Sequence, residues 1–178
     1  DVIGEYANDQ RLHMAYCFEF LSEDFNFSDT NKIVDQFFHN NPNSWPCWSF
    51  SNHDSMRITS RVNKSSKEIM KKLLELKGNI CIYQGEELGL HETEVKFEDL
   101  KDPFGKNFWP EFKGRDGCRT PMPWNSKKIN LGFSDAKTWL PVNLAYAAKS
   151  AKQQQKDPDS MLSYTKELIK LRKKGFAT

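Results

Sequence analysis

With 178 residues, 26 Lys and Arg against 24 Asp and Glu and a net charge of +2, the chain is close to charge balance. A nucleic-acid or membrane-surface partner therefore has no electrostatic support, since either needs a concentrated positive field, and no apolar run nears the roughly 18 residues that span a bilayer. Cys17, Cys47, Cys81 and Cys118 show no Cys-X-X-Cys spacing, and three of them lie in apolar strand-like runs; they read as small buried hydrophobes in a reducing, cytoplasmic compartment rather than as zinc ligands or disulfide partners.

The first strand is predicted at residues 13–20, followed by a loop rich in acidic and aromatic side chains at 21–27. Asp29 or Thr30 caps a helix running to about Phe38, with Ile33, Val34, Phe37 and Phe38 on one face and the turn Asn40-Asn41-Pro42-Asn43 behind it. Residues 45–50 make the second strand. Residues 64–77 make the next helix, turning Ile69, Met70, Leu73, Leu74 and Leu76 inward, and residues 79–83 make the third strand after a turn at Gly78-Asn79. This alternation is the repeat of a (β/α)8 barrel with parallel strands, and because a complete barrel takes roughly 250 residues, the predicted class is α/β, a partial (β/α)8 TIM barrel. Residues 92–141 show little periodicity but carry Phe97, Phe104, Trp109, Phe112, Trp124 and Trp139, as expected of a long binding loop folded over a pocket. Pro158-Asp159-Ser160 leads into a last helix, residues 160–174, with the apolar stripe Met161, Leu162, Leu168, Ile169 and Leu171 turned to the barrel and Lys on its other side.

Three rim segments carry the chemistry. In Phe50-Ser51-Asn52-His53-Asp54-Ser55-Met56-Arg57 an apolar run breaks into Asn-His-Asp with an arginine three residues on, as where a buried parallel strand opens into an active-site mouth. An ionised Asp at such a rim opposes the positive charge of an oxocarbenium-like sugar; Asn-His-Asp alone is equally consistent with a surface turn. Ile80-Cys81-Ile82-Tyr83-Gln84-Gly85-Glu86-Glu87-Leu88-Gly89-Leu90 repeats the pattern, and Gly114-Arg115-Asp116-Gly117-Cys118-Arg119-Thr120-Pro121-Met122-Pro123-Trp124 adds two arginines, turn-forming glycines and a rigid Pro-Met-Pro-Trp end.

In this order and spacing the segments closely resemble the α-glucosidases of glycoside hydrolase family 13, the α-amylase family, of the maltase and oligo-1,6-glucosidase type, from about Val2 to Arg172. The resemblance implies a TIM barrel of which strands six to eight lie here, and retaining hydrolysis of α-glucosidic bonds by an Asp nucleophile, a Glu acid/base and a second Asp that stabilises the transition state. It assigns the last role to Asp54. The other two carboxylates follow the fourth and fifth strands in that family, and no Gly-Phe-Arg-X-Asp segment occurs in this chain. Glu5, in Val2-Ile3-Gly4-Glu5-Tyr6, matches the acid/base segment only superficially and is read as part of the connection into the sixth strand. Residues 1–178 are thus expected to be the C-terminal part of a catalytic barrel, without its N-terminal half or the following β-sandwich, and to be inactive alone.

The same resemblance places His53 on substrate hydroxyls, against the alternative of a satisfied strand-end histidine, and weighs catalysis by Asp54 against a helix-capping role. Arg57 lies either near an outer subsite or beside an acid. Of Glu86 and Glu87, one holds a polar group at the rim and the other is structural, with Glu87 taken as the substrate-binding candidate. Arg115 is placed near the glucose at the non-reducing end and Arg119 beside it, also holding the loop together; a guanidinium fork suits either task. Pro123 stands where many family members have Gln. His13, His39 and His91 do not form a metal set, so no metal or cofactor is expected, and the partner is a short α-glucoside such as maltose or sucrose. Oligomeric state, α-1,4 against α-1,6 linkage, and hydrolysis against transglycosylation stay open. The alternative is a non-catalytic barrel relative serving as a binding or transporter-associated subunit, against which the presence of His53, Asp54 and both arginines counts.

Overall fold

Three short strands, β1 (Ala15–Tyr16), β2 (Pro46–Trp48) and β3 (Asn79–Ile80), lie side by side in chain order and run parallel in a computed structural model that describes residues 2–8 and 10–175. Ala15 faces Pro46, Tyr16 faces Cys47, Cys47 faces Asn79 and Trp48 faces Ile80. Parallel neighbours require crossovers. Helix α2 (Thr30–Asn40) returns the chain from β1 to β2; α3 (Ile58–Arg61) and α4 (Ser66–Glu75) return it from β2 to β3. A short helix, α1 (Val2–Tyr6), precedes the sheet, and there Glu5 pairs with Arg11 at 3.2 Å on the surface.

The strands are shorter than the apolar runs that predict them because the chain turns off the ladder early. Phe18 leads straight into a 3-10 turn at Glu19–Leu21, and past Trp48 the hydroxyl of Ser49 donates to Ser51 O at 2.6 Å. Single bonds still carry the pairing outward, Cys17 N to Cys47 O at 3.0 Å and Cys81 N to Trp48 O at 2.8 Å. Cys17 and Cys118 are buried and Cys47 half-buried, but Cys81 is exposed. It follows the edge strand β3, so the expectation of a buried hydrophobe is corrected there.

Helix α4 starts at Ser66 rather than Lys64 because Ser65 caps it. Its Oγ accepts from Glu68 N at 3.2 Å while Glu68 Oε2 accepts from Ser65 N at 3.0 Å, a reciprocal capping box. The other end is closed by Arg172 of the long helix α7 (Met161–Gly175), which donates to Leu74 O at 2.6 Å, to Leu76 O at 2.8 Å and to Gly78 O. Between sheet and helices lies an aromatic core. Phe20, Trp48 and Phe50 are fully buried, with ring centroids 4.9 Å apart for Phe20 and Trp48 and 5.1 Å for Phe20 and Phe50, and Phe37, Ile69 and Leu73 close it from α2 and α4.

Residues 92–141 fold into short turns, including Phe97–Asp99, α5 (Pro103–Asn107), Asp116–Arg119 and Ile129–Gly132. Beyond them come a 3-10 stretch, Leu144–Lys149, and α6 (Ala151–Gln154). A second core of Leu88, Leu90, Met122, Leu131, Tyr146 and Ala151 fixes this region, and Thr93 Oγ1 ties it together with contacts of 3.2 Å to Thr120 Oγ1 and 3.0 Å to the Tyr146 hydroxyl. Two stretches of the loop meet backbone to backbone. Gly114 has φ +81°, and a Cβ on it would sit 2.7 Å from Gly105 Cα, closer than a side chain tolerates.

Candidate active site

The chain leaves β2 through Phe50 and Ser51 and reverses at Asn52, whose Oδ1 accepts from Asp54 N at 2.8 Å and Ser55 N at 2.9 Å. An Asx turn of this kind replaces the backbone bonds that a longer strand would have made. Asn52, not Asp54, therefore satisfies the turn, and α3 begins beyond Arg57 with no side-chain cap. Asp54 is free for other partners.

Three side chains converge on it. Asp54 Oδ1 accepts from Arg115 Nη1 at 3.0 Å and from Arg119 Nη2 at 3.1 Å, and its Oδ2 lies 3.3 Å from His53 Nε2. Arg119 also donates from Nε to the His53 carbonyl at 2.7 Å. The Asp54 side chain remains 50% exposed and that of His53 70%, so the group presents a carboxylate edge and an imidazole to solvent. With Ser55, Met56, Glu92 and Phe112, Asp54 and Arg115 line a cavity of about 610 Å³, walled on one side by the long loop.

Arg115 is held from behind. Its Nε donates to Asp102 Oδ2 at 2.9 Å, its Nη2 to Asp102 Oδ1 at 2.9 Å and its backbone N to Oδ2 at 2.8 Å. The hydrogen bonds from the Arg115 side chain hold the Asp102 carboxyl well below the usual carboxylate range, and the same bonds raise the Arg115 guanidinium. Asp102 is itself seated by Asp116, whose Oδ2 accepts from Asp102 N at 2.8 Å and Lys101 N at 2.6 Å. No reading of the sequence singles out Asp102; its one signal is its place before Pro103, the signature of a helix N-cap, and it does cap α5 by accepting from Phe104 N at 3.2 Å.

Arg57 is not at the rim. It is 2% exposed, donates from Nη1 to Gln84 O at 2.7 Å and from Nη2 to Cys118 O at 3.0 Å, and lies over the Tyr83 ring at 5.0 Å. With these donors taken and water excluded, the expected substrate contact is corrected: Arg57 binds the ends of β2, β3 and the long loop to one another. Glu87 is turned into its own loop, Oε2 accepting from Gly85 N at 2.7 Å. Glu86 is buried and accepts from the Ser51 hydroxyl at 2.7 Å and Tyr83 N at 2.9 Å; burial pushes it up to about 7, against the pull of those two bonds. The structure thus gathers His53, Asp54, Arg115 and Arg119 at one place, with Arg57 beneath them and Glu87 in the turn after β3. Among the described residues no three His, Cys, Asp or Glu side chains are arranged to hold a metal, and no helix is long and apolar enough to cross a membrane.

The family model described as alpha amylase, catalytic domain, matches residues 5–177. The chain belongs to the alpha-amylase family. Its three strand-helix units are accordingly part of a TIM barrel. Among alpha-amylase family relatives, a probable alpha-glucosidase of Rhizobium meliloti is 41% identical over 97% of the chain and 33% of its own length. A probable oligo-1,6-glucosidase 2 of Bacillus subtilis is 38% identical over 72% of the chain and 27% of its own. The chain therefore spans about a third or less of the curated relatives it matches. Among solved structures, that of the alpha-glucosyl transfer enzyme XgtA superposes with a TM-score of 0.86 at 42% identity, covering 94% of the chain and 32% of XgtA. The trehalose-6-phosphate hydrolase TreA of Bacillus licheniformis gives 0.86 at 29% identity, covering 97% and 38%.

Proposed function

We propose that the chain is the C-terminal part of the catalytic barrel of a retaining α-glucosidase acting on short α-linked glucosides, in which Asp54 stabilises the transition state and His53, Arg115 and Arg119 form part of the glucose subsite. The observation that carries this reading is the convergence of two arginines and a histidine on one half-exposed carboxylate at the rim of a cavity. As a glycosidic bond breaks, positive charge grows on the ring carbon and oxygen, and a carboxylate already oriented by fixed donors stabilises it without reorganising. The imidazole of His53 and the outer guanidinium edges supply donors for sugar hydroxyls. The nucleophile and the acid/base come from other parts of the parent barrel. The names of the relatives support the class, and the four free cysteines support a reducing, cytoplasmic setting. A second reading, transfer of the glucosyl unit to a sugar acceptor, is favoured by the 42% identity to the structure named as an alpha-glucosyl transfer enzyme.

Asp54→Asn in the full-length parent is expected to lower kcat/KM for an α-glucoside by about a hundredfold or more, with an unchanged circular dichroism spectrum. Normal turnover by that variant overturns the assignment of Asp54. Product analysis by NMR in the first seconds, with maltose as substrate, separates the two readings, since hydrolysis yields glucose alone and transfer yields longer saccharides.

A further inference from the structure

We propose that Asp102 is a positioning residue that sets Asp54 through Arg115, so that the long loop forms part of the site's machinery. This rests on the functional reading above. A guanidinium has five N–H donors in one rigid plane, and here Asp102 takes the Nε–H and an Nη2–H as a bidentate pair, at 2.9 Å each. That pair fixes the plane. The backbone N of Arg115 donates to the same carboxylate at 2.8 Å, which fixes the start of the side chain as well as its end. The Nη1 left over points at Asp54 Oδ1, 3.0 Å away.

The clamp is braced on its far side. Asp116 accepts from the backbone N of Lys101 and Asp102, Asp102 Oδ1 accepts from Phe104 N, and the backbones of Gly105 and Gly114 meet too closely for any side chain between them. The Phe104 ring lies 5.3 Å from the Arg115 guanidinium carbon. The Asp102 side chain has no exposure, so it reaches the cavity only through Arg115. Arg119, from the same loop, donates to the His53 carbonyl and to Asp54, so both arginines tie Asp54 to the loop, and Arg115 alone of the two is clamped by a buried carboxylate. A small displacement of a reacting group costs on the order of 10²-fold in rate, and the Asp102 clamp removes the side-chain freedom that would permit one.

The test is a double-mutant cycle in the full-length parent with p-nitrophenyl α-glucoside, reading kcat and KM for Asp102→Asn, Arg115→Ala and the two combined. Each single change is expected to lower kcat/KM by about 100-fold, and the double variant is expected to be no worse than Arg115→Ala alone, because Asp102 has no route to the reaction except Arg115. Multiplying losses, or an Asp102→Asn variant with wild-type kcat/KM, overturn the proposal. If Asp102→Asn fails to fold, Arg115→Lys decides. Lysine keeps the charge but lacks the fork, so activity within a few-fold of Arg115→Ala supports the clamp and near-normal activity overturns it. If the unaltered parent turns over no α-glucoside, the functional reading fails by itself, and crystal structures of the Asp102→Asn and Arg115→Lys parents decide whether Asp102 holds Asp54. An Asp54 carboxylate detached from residue 115 supports the clamp, and one that has not moved overturns it.

Discussion

Glu86 is a carboxyl group kept under the rim, where burial raises it to about 7 from an unfolded value near 4.5. Between those two values the folded chain holds a proton that the unfolded chain has released, so stability falls as pH rises from about 4.5 through 7, and the cost of charging Glu86 is fully present above that. Replacing Glu86 with Gln removes the charge but leaves one acceptor oxygen where the Ser51 hydroxyl and Tyr83 N now have two. The Tm of this variant is therefore expected to lie below wild type at pH 5 and to gain on it by several degrees at pH 8; a Tm difference equal at both pH values contradicts the buried ionisation. At this scale the sequence is uneven in what it reveals. The place of Asp54 at the rim is legible because an apolar run breaks ahead of it. Arg57 is misread because nearness in sequence to Asp54 suggests a shared rim, whereas the Asx turn at Asn52 is short enough to bring the chain back into the core by Arg57, three residues past Asp54. Asp102 is not legible, since its partner Arg115 lies on a separate stretch of a loop with no period to bring the two together.

Helices are read more reliably than strands here because their signals are local. The apolar face of α4 follows from Ile69, Met70, Leu73 and Leu74, whereas its start, two residues past the predicted one, is set by the capping box of Ser65 and Glu68. Ser65→Ala removes the acceptor for Glu68 N and is expected to cost about 1 kcal/mol, measurable as a lower midpoint in urea with an unchanged slope; no shift in the midpoint contradicts the cap. The strands depend on neighbours, and how far pairing runs along an apolar segment is decided by where the adjacent chain turns away, as at Phe18 and Ser49. The long loop escapes periodicity for a related reason. Its order comes from distant pairs such as Thr93 with Tyr146 and Asp102 with Arg115, which leave no mark on a local window.

For the molecule as a whole, the order of strand and helix, and with it the partial barrel, is legible because parallel strands in sequence order leave few arrangements. Among the described residues β1 and β3 each pair with a single strand, β2, leaving one side of each without a ladder partner, and Phe18, two residues past β1, is 65% exposed. Open parallel edges beside apolar side chains recruit further strands. The isolated 178-residue chain is thus expected to associate, with a sedimentation coefficient that climbs with concentration and falls back when Lys is placed at Ile80; a monomer at every concentration contradicts this. The contact of Gly105 with Gly114 bears on how such a chain can vary. Two stretches that touch without side chains, and whose flanking residues Asp102 and Arg115 are cut to fit each other, form a single heritable unit. A chimaera of two relatives joined anywhere between residues 105 and 114 splits that unit, whereas one joined ahead of residue 101 or past residue 116 passes it on whole.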